Sequence, residues 1–82
     1  MASNEQILSP RIVVSRSICH GKPRIAGTRI MVHQVLDLLA TGKQISDIIS
    51  EDYFPDIKVE DVLACIAYAS RVIEDELVVP TA

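Results

Sequence analysis

The rhythm of apolar and polar positions changes once along the chain, near Val32. Ahead of it, Arg11-Ile12-Val13-Val14-Ser15 is a short β-branched run closed by turn-prone serines at 15 and 17, the pattern of one strand. The opening residues MASNEQILS carry no period, so residues 1–10 read as a flexible tail. Between Cys19 and Thr28 the run C-H-G-K-P-R-I-A-G-T holds two glycines and a proline, which breaks regular structure and predicts a loop with tight turns. Arg29-Ile30-Met31 reads as a second short strand that could pair with the first, although a lone pair is marginal in water.

From Val32 onward the spacing is helical. Val32, Val35, Leu36 and Leu39 follow i, i+3, i+4, i+7, and the pattern stops at Gly42 with Lys43 beside it, as at a helix C-terminus. This predicts a helix over 32–41. Ser46 is placed to cap a short second helix that turns Ile48 and Ile49 inward, and Phe54-Pro55 closes it because a residue before proline avoids helical geometry. In the third and longest helix, Lys58 takes the cap position and Val59 starts the run. Ile57 and Val62 stand at the spacing of a hydrophobic staple, and Glu60 and Asp61 meet the positive end of the dipole.

That third helix carries two apolar stripes. Val59, Val62, Leu63, Ile66, Ser70, Ile73 and Leu77 share one arc, which is expected to meet the first two helices. Cys65, Tyr68, Ala69 and Val72 form a second stripe on a largely different arc. Two apolar faces on one helix of so small a domain imply two partners, so the second stripe, with Leu77, Val78 and Val79 of the tail, is expected to contact another molecule. The alternative is that the tail or a strand folds back over it. Three helices with short connections give the expected fold class: all-α, a three-helix homeodomain-like helix-turn-helix of winged-helix-like type, with a short N-terminal β-strand or hairpin. A single domain over 11–77 with a short tail at 78–82 accounts for the chain.

Length sharpens this picture. At 82 residues the chain buries little core, so self-association, most simply as a homodimer, is expected. The two cysteines, Cys19 and Cys65, are far apart and follow no secretory leader, which fits reduced thiols in the cytoplasm. No apolar stretch is long enough to cross a bilayer, so no membrane partner is expected.

Net charge is −3, but its distribution is uneven. Residues 1–43 hold six Lys and Arg against Glu5 and Asp37, a net of +4. Residues 44–82 hold Lys58 and Arg71 against nine carboxylates, a net of −7. A chain polarised in this way has one end suited to a phosphate backbone and another suited to a basic protein. Alternatively, both ends are solvated, or they pair in a dimer. Arg11, Arg16, Lys22, Arg24 and Arg29 form the cationic arm and are the candidate nucleic-acid contacts, because the third helix opens with Glu60 and Asp61 and would repel a groove. A dimer would double those contacts.

Catalytic chemistry finds little support. Cys19 and His20 are adjacent, and neighbouring side chains seldom point at each other; no orienting group is identifiable. Cys19, His20, His33 and Cys65 lack the paired spacing of a zinc site, so no metal is expected. Gly21-Lys22-Pro23 lacks the rest of a phosphate-binding loop. We therefore expect no enzyme activity, no catalytic residues and no cofactor.

The loop C-H-G-K-P-R-I-A-G-T-R-I-M-V is followed by V-L-D-L-L-A-T-G, the I-S-D-I-I stretch and E-D-V-L-A-C-I-A-Y-A. Together they resemble the bacterial family catalogued as domain of unknown function 433, from about Arg11 to Ala69. The core of the likeness is Gly21 to Ile30, backed by Ala67 to Ala69. The resemblance implies a small homeodomain-like protein with a short β segment, often encoded beside a PIN-type toxin. The function so implied is that of a type II antitoxin, which neutralises its toxin and, as a dimer, occupies operator DNA. Two departures are minor: Lys58 stands where Thr or Ser commonly caps the helix, and His20 precedes the glycine. The third is the short segment after the helix, where antitoxins commonly hold their toxins with a longer one. A protein-interaction or dimerisation module that binds no DNA is the competing expectation.

Overall fold

Pro10 fixes the φ of the first turn, and Arg11 after it takes a left-handed conformation (φ 70°), the pairing expected at the centre of a type II turn. The turn folds the front of the chain into a hairpin of β1 (Gln6–Ser9) and β2 (Ile12–Val14). β3 (Arg24–Ile25) adds to the other side of β2, giving an antiparallel sheet in the order β1-β2-β3. Its register sets Ile7 against Val13, Ile12 against Ile25 and Val13 against Arg24, with an irregularity between Ile7 and Ser9. Three helices follow: α1 (Val32–Ala40), α2 (Ile45–Ile48) and α3 (Val59–Asp75). The computed structural model describes residues 5–76.

The molecule is mixed α/β, which corrects the all-α expectation. Gln6–Ser9, assigned above to a flexible tail, is a paired strand in which Leu8 packs against the core. The third strand lies at Arg24–Ile25 rather than at 29–31, where Met31 contributes only an isolated bridge to Arg24. These strands have four, three and two residues, too short for alternation to show in the sequence.

Side chains alternate across the sheet, so Ile12 and Ile25 face the helices while Val13 and Arg24 face away. Ile12 and Ile25 join Val32 and Val35 of α1, Ile48 of α2, and Ile57, Val62 and Cys65 around α3 in one buried cluster. Ile57 and Val62 are both buried there, at the positions of the staple expected from the sequence. α1 ends as its sequence predicts. Gly42 (φ 94°) donates its N–H to Leu39 O and Lys43 donates to Leu38 O, the two bonds of a Schellman motif.

All three helices start with one device. The N3 side chain accepts the N–H of the cap residue: Gln34 Oε1 from Met31, Asp47 Oδ2 from Gln44, and Asp61 Oδ2 from Lys58. For α2 the cap is thus Gln44 rather than Ser46.

Candidate protein-binding face and the cationic residues

Asp61 ties the sheet to α3. One carboxylate oxygen accepts the Lys58 N–H at 2.9 Å, and the other meets Arg11 Nη1 at 2.9 Å across fifty positions of sequence. The left-handed backbone of Arg11 sits at the hairpin tip, and its guanidinium reaches the first turn of α3. With Asp61 drawn in by Arg11 and Val62 held by Ile57, the helix is rotated so that Asp61, Val62 and Cys65 face inward.

This rotation overturns most of the expected roles of the two stripes, although Val62 of the first is buried as expected. Cys65 is fully buried, and Tyr68 is partly buried against the core, so the first half of the stripe assigned to a second molecule belongs to the interior. Burial, with the Asp61 charge second, pushes the Cys65 thiol up to about 11, and such a thiol is inert at neutral pH. Conversely, Val59, Leu63 (51% exposed), Ile66 and Ile73 (65% exposed), expected to meet the first two helices, point to solvent. Ala69 is half-buried, and Val72 is exposed at the rim of a groove of about 330 Å³. Val32 and Leu36 of α1 form one wall, Tyr68, Ala69, Val72 and Ile73 of α3 the other, and Lys22 with Pro23 and His33 complete the lining. Leu77, Val78 and Val79 lie outside the described residues.

The five cations of the arm do not share one surface. Arg11 is engaged with Asp61. Arg24 is 4% exposed on the sheet face away from the helices, where Nη2 donates to Glu5 Oε1 at 3.1 Å and to Ser15 Oγ at 3.2 Å. Its Nε and Nη1 are buried without a hydrogen-bond partner among the described residues. A guanidinium so enclosed cannot meet a polyanion, which removes Arg24 from the arm. Lys22 borders the apolar groove, and Arg29 lines a second cleft with Phe54 and Asp56. Arg16, Lys22 and Arg29 remain exposed and have no ion pair among the described residues.

Backbone strain concentrates in the loop that bears these residues. Cys19 (φ 52°), His20 (φ 56°) and Gly21 (φ 75°) form a left-handed 3-10 turn, closed by Gly21 N–H to Ile18 O and Lys22 N–H to Cys19 O. Only Gly21 adopts that conformation freely; the other two cost about 1 kcal/mol each. Cys19 Sγ donates to Arg29 O at 3.5 Å and pins the turn to the following loop. Among the described residues no group of three His, Cys, Asp or Glu side chains is placed to hold a metal ion, and no helix is long and apolar enough to cross a membrane.

Fold and surface thus define a small α/β protein: a three-stranded sheet locked by an ion pair to a long helix, with apolar surface left open along that helix. The chain belongs to the family described as protein of unknown function (DUF433), which matches residues 12–69. No curated protein and no solved structure matches it.

Proposed function

We propose that this chain is the antitoxin of a type II toxin–antitoxin pair, acting in the cytoplasm, whose main task is to capture a PIN-type toxin. The observation that carries this reading is the groove between α1 and α3. Its walls are apolar at Leu36, Tyr68, Val72 and Ile73, and α3 runs past it into Glu74, Asp75 and Glu76, all exposed. A PIN-type active site binds metal and RNA and has cationic surroundings. An apolar segment of such a toxin fits the groove while its cations meet the acidic end of α3. Coexpression with an adjacent acidic-triad nuclease tests the reading. Wild-type chain should silence the nuclease and copurify with it, whereas Val72→Asp should lose at least about a hundredfold in affinity, the scale of a buried interface anchor. Equal silencing by the variant removes the groove from the reading, and an unsilenced neighbour removes the antitoxin.

A second reading, operator binding by a dimer, draws on Arg16, Lys22 and Arg29, the cations of the arm that are exposed and in no ion pair among the described residues. Three contacts per chain give about six per dimer and a log–log salt slope near −5. Alanine at all three positions should abolish salt-sensitive DNA retention. Retention unchanged by that triple substitution leaves a protein-binding module that does not bind DNA.

A further inference from the structure

The outward stripe of α3 has a spacing that the groove, which it meets only at Ile73, does not explain. Val59, Leu63, Ile66, Ser70 and Ile73 follow one another at intervals of four, three, four and three, the alternation of a heptad seam, and all five are exposed. The complement of such a seam is another helix. We infer that the seam takes the α3 of a second copy of this chain, the two helices running antiparallel.

Charge selects both the occupant and the direction. Glu60 near the start of α3 and Arg71 near its end flank the seam on the same side, both exposed and neither in an ion pair among the described residues. An antiparallel pair with its two-fold axis between Leu63 and Ile66 sets Leu63 against Ile66 of the partner subunit and Val59 against Ser70 of the partner subunit. The same register leaves Glu60 two positions, about 3 Å along the axis, from Arg71 of the partner subunit on the same side of the pair, within reach of two long side chains, twice by symmetry. A parallel pair would instead bring Glu74, Asp75 and Glu76 of both copies together at one end, where like charges repel. Antiparallel pairing also sets the two helix dipoles head to tail.

The extent of the seam sets the strength. Seventeen residues give a rod of about 25 Å, and a face about 10 Å wide along it covers well under the roughly 800 Å² per partner of a standard interface. The dimer is therefore weak, with a dissociation constant of about micromolar order.

Sedimentation of the full chain over a broad concentration range reads the pairing without any toxin or DNA, so its outcome is separate from that of the function proposed above. Wild type should pass from one chain mass to two. Leu63→Glu, at a half-exposed position, should stay at one chain mass with its circular dichroism and melting unchanged. Glu60→Arg should weaken the dimer several-fold, and Glu60→Arg combined with Arg71→Glu should restore it. In a Cys19→Ser background, Ile73→Cys should not form a disulfide-linked dimer, because the two sites lie at opposite ends of an antiparallel pair. A wild type that remains at one mass, a Leu63→Glu variant that still dimerises, or efficient crosslinking through Ile73→Cys overturns the inference.

Discussion

Asp61 concentrates three duties in one side chain: it closes the first turn of α3, answers the hairpin tip through Arg11, and faces the core beside Val62. Removing it leaves the Lys58 N–H and the Arg11 guanidinium without their partner, so Asp61→Ala should cost about 2–3 kcal/mol, a fall in melting midpoint of roughly 10–20 °C. Arg11→Ala should cost only about 1 kcal/mol, because Arg11 is half-exposed and solvent screens its pair. Similar losses in the two variants would contradict the account. Arg24 behaves in the opposite way. Two nitrogens of its buried guanidinium have no hydrogen-bond partner among the described residues, and its partner Glu5 is solvent-accessible, so Arg24→Met should leave the midpoint unchanged or raise it. A fall of more than about 5 °C, equivalent to roughly 1 kcal/mol, would show that the two bonds it makes outweigh the two it lacks. Cys65 gives a pH dependence. Its thiol is raised in the fold to about 11, so its contribution is complete below the ordinary thiol pKa and is lost as pH climbs from about 9 through 11. Melting across that range should decline by an amount of order 2 kcal/mol in wild type, and that part of the decline should vanish in Cys65→Ala.

At the level of elements, the helices and the central strand β2, which falls inside the run Arg11–Ser15, were legible, and the two outer strands were not. Val32–Ala40 announces itself by period and by Gly42, and the start of α3 by Ile57, Val62 and the acids behind Lys58. Gly42→Ala should cost about 1 kcal/mol in thermal unfolding, since its positive φ supports both Schellman bonds; an unchanged midpoint would discount the motif. The outer strands hid for two reasons. They are shorter than the window in which alternation shows, and β1 and β3 include Gln6, Ser9 and Arg24, whose side chains do not advertise a strand. The periodicity of α3 revealed two apolar arcs but not which one faces inward, because a helical wheel fixes angles within a helix and not its rotation against neighbours. That rotation rests on contacts between parts far apart in sequence, the packing of Val62 and Cys65 against Ile12, Ile25 and Val35 and the pair of Arg11 with Asp61, which composition and spacing do not encode. The same gap explains the cationic arm: closeness in sequence placed Arg11 and Arg24 with Lys22, while Asp61 of α3 engages the half-exposed Arg11, and Arg24 is buried beside Glu5 and Ser15.

Across the whole molecule, the lopsided charge of the sequence survives folding in altered form. The acidic end of α3 stays open, the basic front is reduced to Arg16, Lys22 and Arg29, and the apolar groove lies between Lys22 and α3. The proposed protein capture and the proposed self-pairing would use neighbouring surfaces of one helix that meet at Ile73, both made available by the rotation that buries Cys65. Maleimide labelling tests that rotation most directly, with Leu63→Cys and native Cys65 followed site by site in a Cys19→Ser background at pH 8 and low protein concentration. Position 63 should react like a free thiol and slow as concentration rises, while Cys65 should stay unmodified until the chain unfolds. Labelling of Cys65 as fast as position 63 would place the other face of α3 outward and contradict it.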